Sequence, residues 1–466
     1  MALSRIWSAF IIVAIAVAAF KYMFSPDNKT VFSKMVVGKS GDTSNTKLID
    51  SAAISPAIIT QLLNNKETKI GEDKYIKTES GKFIICKEQN ANGILETCKD
   101  AVNICIGLIG VMALFMGFLS IAEKAGGIQF LSRIIAPFFS RIFPDVPKGH
   151  PAYGHMILNF SANLLNLDNA ATPFGIKAME SLQEINPRKE KASNAQLMFL
   201  CLHASGLTLI PVSIIAIRSS LKASNPTDIF IPCMIATFAA TMAALIIVSI
   251  KQKINLIQPV ILLWVAGLSA VIAALVLYLK TLTTEGVQDF SKIISNGLIL
   301  AIFLLIVTGA IYKKINVFDA FIEGAKGGFE TAVRIIPYIV GMLVAISMLR
   351  TSGTFDFIID GMKNIFMVIG ADTRFVDGLP TALIKPLSGS GARGMMIDTM
   401  KNFGPDSFAG RLSGVLQGSS DTTFYVIAVY FGAVGVRDTR YAAGAMLLAD
   451  LVGIITSILL AYLFFV

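Results

Sequence analysis

Charge is what this chain has little of: 15% of its 466 residues are Asp, Glu, Lys or Arg, against 54% hydrophobic. With a mean hydropathy of +0.67, that scarcity excludes an ordinary soluble domain and indicates an all-α polytopic membrane protein. Histidine is scarce too, at three residues, and the five cysteines lack zinc spacing, so no metal or other cofactor is expected. Cys105, Cys201 and Cys233 lie in apolar segments and read as core. Cys86 and Cys98 lie in a polar segment, where a disulfide and two free thiols are both open. There is no His-Glu-x-x-His and no Gly-x-Ser-x-Gly with a suitable base, which argues against an intramembrane enzyme. Cations outnumber anions by nine, but they sit in short runs beside apolar segments. There they set topology; a basic face for nucleic acid is missing.

What is present is a succession of apolar runs. Residues 6–24 follow Arg5 and continue past the signal-peptidase-like Ala16-Val-Ala18, so 1–24 reads as an uncleaved anchor. A polar, lysine-rich segment over 25–100 contains the strand-like piece Tyr75 to Ile85 with a turn signal at Ser80-Gly81, suggesting a small β-containing insertion. Runs of spanning length then occur at 102–122, 229–250, 258–279, 291–312, 333–350 and 441–465. Four more, at 156–182, 196–217, 376–399 and 410–431, are interrupted by polar residues, Gly or Pro. Amphipathic pieces at 128–135 and 355–362 fit helices lying at the membrane surface or against the bundle.

The interruptions repeat. Gly126 precedes Ser161 by 35 positions, and Gly353 precedes Ser388 by the same 35. Leu202-His-Ala-Ser-Gly-Leu-Thr208 corresponds likewise to Leu416-Gln-Gly-Ser-Ser-Asp-Thr422. If 156–182 is a re-entrant hairpin, Arg188, Lys189, Lys191, Lys251, Lys253, Lys313 and Lys314 share one side, which the positive-inside rule makes cytoplasmic. Arg218 and Lys222 dissent. On this count the two repeats are inverted and 25–100 is extracytoplasmic, the plan of many secondary transporters.

Asn163-Leu-Leu-Asn-Leu-Asp-Asn-Ala-Ala-Thr-Pro-Phe-Gly-Ile-Lys-Ala-Met-Glu180 resembles the signature of the spore maturation protein A family, and Leu209-Ile-Pro-Val to Arg218 continues the resemblance. Asp319 to Gly328, Arg334-Ile-Ile-Pro337, Pro386-Leu-Ser-Gly-Ser-Gly-Ala392 and Gln417 to Gly432 resemble spore maturation protein B. The chain is thus similar to an A–B fusion of the nucleoside recognition (Gate) family, whose repeats resemble parts of concentrative nucleoside carriers and of ferrous-iron transporter B. The resemblance divides the chain into an A-like repeat at 101–250, a connecting membrane helix and loop at 251–292, and a B-like repeat at 293–466. It implies a transporter-like protein of the bacterial cytoplasmic (inner) membrane.

The candidate substrate-binding residues cluster at the breaks. Asn163, Asn166, Asp168, Asn169 and Thr172 lie in the first, where an aspartate at membrane depth costs about 2.5–3.5 kcal/mol on insertion scales. Ser205 and Thr208 lie in the second, Ser388, Ser390 and Arg393 in the third, and Gln417, Ser419, Ser420, Asp421, Thr422 and Thr423 in the fourth. The bland reading is that they satisfy freed backbone groups. His203 reads as a packed histidine or a proton coupler, and Asp450 as a coupling carboxylate or a partner of Arg440. The leading expectation is movement of a small polar solute, nucleoside-like and coupled to sodium or protons, through a cavity between the repeats. Membrane lipid and a homo-oligomer are further expected partners. The alternative is a non-transporting scaffold or maturation factor that binds a partner protein or lipid.

Overall fold

The computed structural model describes residues 2–24, 30–49, 67–70, 73–77, 83–164, 168–208, 210–282, 284–368 and 370–466. Two compact units emerge, one of Arg5–Asp100 with Leu343–Gly361, the other of Ala101–Met342 with Met362–Val466 and the first four residues.

In the smaller unit, α1 (Ala2–Phe24) carries an 18-residue apolar window and anchors Lys21 Nζ on the Ser352 carbonyl at 2.7 Å. After α2 (Val31–Val37) come β1 (Gly38–Ile49), β2 (Glu67–Ile70), β3 (Asp73–Lys77) and β4 (Phe83–Asn92), an antiparallel sheet in the order β1-β4-β3-β2. The strand-like piece at 75–85 forms the β3–β4 hairpin, with Tyr75 opposite Ile85; its turn at Ser80-Gly81 lies outside the described residues. Cys98 carries a free thiol, and the side chain of Cys86 lies outside the described residues.

The larger unit is helical. It contains most of α3 (Ile94–Lys124), then α4 (Gly127–Ile142), α5 (Pro151–Leu164), α6 (Asp168–Glu184), α7 (Asn194–Ser205), α8 (Val212–Ser220), α9 (Phe230–Gln252), α10 (Pro259–Lys280) and α11 (Thr284–Tyr312). The chain continues through α12 (Val317–Thr351), α13 (Thr354–Val368), a 3-10 turn at Arg374–Gly378, α14 (Leu379–Ile384), α15 (Gly389–Phe403), α16 (Phe408–Gly418), α17 (Thr423–Ala433) and α18 (Ala442–Phe464). Among the described residues of the whole chain, seven helices are long and apolar enough to cross a membrane. The core is built on α9 and α18, which lie side by side with α7 against both. By contrast α10 is nearly bare, with 6% of its apolar window buried, as expected of a helix facing lipid.

One boundary differs from the sequence reading. The run expected at 333–350 belongs to a helix that starts at Val317, where Asn316 Oδ1 accepts from the Asp319 N–H at 3.3 Å. Asp319, Glu323, Lys326 and Glu330 make its first turns look like a loop, yet they occupy an exposed face and Glu323 pairs with Lys124. Charges at the end of a membrane helix mark its emergence, and they do not terminate it.

Corresponding features recur in the two halves of the chain. Gly126 and Gly353, each turning a long helix into an amphipathic one, both have left-handed φ, +85° and +74°. Ser193 and Ser407 each cap a following helix by accepting the N–H three residues on, from Gln196 and Gly410. Past α8 and α17 the chain turns with the same bond, Ala223 N–H to Arg218 O and Val436 N–H to Phe431 O, both 3.0 Å.

Directions follow from the contacts at helix ends. The loop before α7 meets the loop after α17, where Ala192 N donates to Asp438 O and Arg437 N and Asp438 N donate to Glu190 O, all at 2.9 Å. The loop after α8 meets the loop before α16, where Arg218 reaches Asp406. The broken span α7–α8 therefore runs antiparallel to α16–α17. The hairpin α5–α6 opens at the first of these ends, since Asn194 Nδ2 donates to Asp145 Oδ2 at 3.2 Å. The hairpin α14–α15 opens at the other, where Arg374 lies over the Phe408 ring at 5.8 Å.

Candidate functional site

Because each hairpin enters from its own end and each broken span changes course midway, four interruptions meet at one level. They surround a cavity of about 150 Å³ lined by Asn163 from the first, His203, Gly206, Thr208, Pro211, Ser213 and Ile214 from the second, Lys385 and Arg393 from the third, and Gln417, Gly418, Ser420 and Asp421 from the fourth. The two broken spans touch through main chain, Asp421 N–H donating to the Ala204 carbonyl at 2.7 Å. Half-helices place ends here of both signs. The C-termini of α7 and α16 bring partial negative charge, and the start of α8 brings partial positive charge.

On the first-half side the groups are amides and an imidazole. Asn159 Nδ2 donates to the Ala171 carbonyl at 2.6 Å, which turns its Oδ1 to His203 Nδ1 at 3.0 Å. That nitrogen must therefore carry the proton, leaving Nε2 to face Asp421 Oδ2 at 3.9 Å. Asn163 Nδ2 lies 2.8 Å from the same atom, and with Nδ1 protonated that contact becomes a hydrogen bond only with the Asn163 amide flipped. The Tyr430 ring packs on His203 at 4.7 Å. Gly175 makes room for that ring, because a Cβ there would lie 2.5 Å from it.

On the second-half side the groups are charged. Lys385, buried to 8% exposure, donates from Nζ to the Gln417 carbonyl at 2.7 Å. Gln417 Oε1 is buried and has no hydrogen-bond partner among the described residues. Arg393 lines the same cavity as the half-exposed Asp421, whose Oδ1 accepts from the Thr422 N–H at 2.7 Å.

Of the residues expected from sequence, Asn163, Thr208, Arg393, Gln417, Ser420 and Asp421 meet at the cavity. Others spend their hydroxyls on structure. Ser205 and Ser419 donate to the carbonyls of Leu202 and Leu416, and Ser388 caps α15 at Gly391 N with Ser390 3.4 Å away. Thr422 packs on Gly389, and Thr423 donates to Asp450 Oδ2 at 2.6 Å. Thr172 is half-buried and hydrogen-bonds Tyr430. The side chains of Asn166, Asp168 and Asn169 lie outside the described residues. Arg440 does not serve Asp450; it holds Asn194 Oδ1 at 2.8 Å. Sequence reasoning left Lys385 out of the site, although a cation just before Pro386 in an apolar run was a signal for it. Tyr430 carried no such signal.

The Gate family model, described as nucleoside recognition, matches residues 105–221 and 332–437. Spore maturation protein B of Bacillus subtilis (strain 168) is 48% identical over 176 residues, 37% of this chain and 97% of that protein. Spore maturation protein A of the same organism is 40% identical over 168 residues, 35% of this chain and 86% of that protein. No solved structure matches significantly. The chain belongs to the Gate nucleoside-recognition family of multi-pass bacterial membrane proteins and joins relatives of spore maturation proteins A and B in one polypeptide.

Proposed function

We propose that this protein is a transporter-like carrier that moves a small polar solute through the central cavity by alternating access between two inverted repeats. One observation carries the reading: four interrupted segments, two from each half, end at one polar cavity, and the broken spans cross antiparallel there. Broken helices at membrane depth are tolerated where they line a cavity, and inverted pairs of them let one half rock against the other around a fixed site. On the positive-inside count the end with Lys191 and Asp438 is cytoplasmic. Arg218, the dissenting charge, is fully buried and paired with Asp228 at 2.9 Å, so it does not act as a loose topological cation. Ion coupling would run through the same cavity, a proton between His203 and Asp421.

The test uses a single cysteine at Thr208 in a variant stripped of the five native cysteines, reconstituted in liposomes of known orientation. Membrane-impermeant maleimide should reach it from each side in turn as solute conditions change. Labelling from one side alone, with no flux of any solute in a broad panel, would defeat the carrier reading in favour of a scaffold. Labelling of the Lys189 and Lys314 loops on opposite faces would remove the inversion.

A further inference from the structure

We infer that the end of the molecule where α7 begins holds the phosphate of an anionic phospholipid head group, in a second cavity where Arg188 and Lys191 of the first half meet Arg440 of the second.

That cavity measures about 490 Å³, about three times the central one, and its wall includes Arg188, Lys191, Arg440, Asp145 and Asn194. Its cations are partly answered from within the protein. Asp438 faces Lys191 at 3.4 Å, Asp145 accepts from Asn194, and Arg440 turns one guanidinium nitrogen to Asn194 Oδ1 and the Ala192 carbonyl. The side chain of Arg188 is exposed at the rim and has no partner among the described residues. With both carboxylates set against the three cations, one positive charge is left over. Arginine is the side chain whose planar fork matches a phosphate with two parallel N–H bonds.

The surroundings have the same sign. The four connections at this end, 143–150, 185–193, 253–258 and 434–441, hold seven cations and three carboxylates, whereas those at the other end, 221–229, 370–378 and 404–407, hold two cations and four carboxylates. A positive-inside bias accounts for such an excess. It does not account for the convergence of cations from both halves on one cavity.

Level and size favour a lipid over a soluble anion. The membrane-length helix α18 begins beside this cavity and α9 ends beside it, with Gln252 Nε2 donating to the Asn194 carbonyl at 2.8 Å. The cavity therefore lies where apolar spans give way to the head-group layer, the level at which basic pockets between membrane helices take lipid head groups. On either side of the turn after Gln252, Ile250 and Ile257 are 70% and 78% exposed. An amphiphile covers the charged wall with its head and the apolar surface with its chains. Inorganic phosphate would leave most of the cavity empty, while a glycerol-phosphate head group with the first carbons of its chains belongs to the size class that such a volume holds.

Full-length protein, delipidated in an uncharged detergent, is titrated with phosphatidylglycerol, with phosphatidylcholine of the same acyl chains, with sn-glycerol 3-phosphate and with inorganic phosphate, and is followed by native mass spectrometry and thermal shift. Phosphatidylglycerol should bind saturably and raise Tm, about tenfold or more tightly than phosphatidylcholine, and neither soluble phosphate should match it. Arg188→Gln should weaken phosphatidylglycerol binding about tenfold while keeping the lipid-free melt of the wild type. Arg188→Lys should retain most of the binding, and Lys222→Gln, at the other end, should leave it unchanged. The inference falls if phosphatidylcholine binds as well as phosphatidylglycerol, if Arg188→Gln binds as the wild type does, or if Lys222→Gln loses as much as Arg188→Gln. Glycerol 3-phosphate or inorganic phosphate binding as tightly as the lipid would make this a site for a soluble anion and would equally overturn it. None of these outcomes depends on whether solute moves through the central cavity.

Discussion

The two halves of the larger unit are joined at both ends, and the ends are made differently. Where α7 begins and α17 finishes, the joint is a main-chain seam: Ala192, Arg437 and Asp438 exchange backbone hydrogen bonds with Glu190 and Asp438. The side chains around it, Lys191 with Asp438 at 3.4 Å and Arg437 with Glu190 at 3.9 Å, are exposed. Where α8 finishes and α16 begins, the joint is ionic and buried. Arg218 reaches Asp228, Asp406 and the carbonyls of Pro405, Asn225 and Pro226, while Arg411 holds Asp228 Oδ2 at 2.7 Å. The seam is blind to side chains and the cluster depends on every one of them, so substitutions should be felt at one end and shrugged off at the other.

The largest effect is expected of Arg218→Met. It leaves the buried Asp228 and the partly exposed Asp406 with less counter-charge, and losing one partner of a buried ion pair costs about 3–5 kcal/mol. A thermal melt in detergent should show a fall in Tm of many degrees, and a Tm within a degree of wild type would mean that the cluster is not formed. Asp406→Asn should cost less, about 1–3 kcal/mol, because the amide can still meet Arg218 through its one oxygen, while the NH2 that then replaces Oδ2 no longer accepts from the Ser224 N–H 2.7 Å away. At the seam, Lys191→Met should change stability by less than about 1 kcal/mol, as exposed pairs do; a loss matching that of Arg218→Met would erase the contrast. The smallest effect is one of pH. Asp438 is held below the ordinary carboxylate value, first by the Arg440 backbone N–H and then by Lys191. Its contribution is complete above the ordinary carboxylate range and is lost as pH falls through the depressed value. Asp438→Asn should flatten that part of the stability curve by lowering the neutral-pH melt slightly and leaving the melt below the depressed value almost unchanged.

How far the sequence foretold this can be judged residue by residue. The breaks were legible, because Pro173, Pro386, Gly389 and Gly418 inside apolar runs do not fit an unbroken, lipid-facing helix. The lysines led to an expected inversion of the halves, against which Arg218 stood out as an anomaly. Its resolution was not legible, since burial against Asp228 and Asp406 depends on loops nearly 190 positions apart. Nor was the division of labour among hydroxyls. Ser205, Ser419 and Ser420 look alike in sequence, yet the first two bond carbonyls one turn back while Ser420, at the cavity wall, bonds the Asp450 side chain. A serine in a helix has both options, and only its rotamer and neighbours choose between them.

The bareness of α10 has a consequence for how the chain is assembled. A helix so little engaged with the core contributes tether and not glue, so the halves owe their association to the core that α7 and α9 share with α18, together with the seam and the ionic cluster. The tether does two other things. It keeps each half at an effective concentration of about millimolar for its mate, and it fixes their ratio at one to one through translation itself. Where the halves are separate chains, as spore maturation proteins A and B are named, that ratio has to be kept by other means.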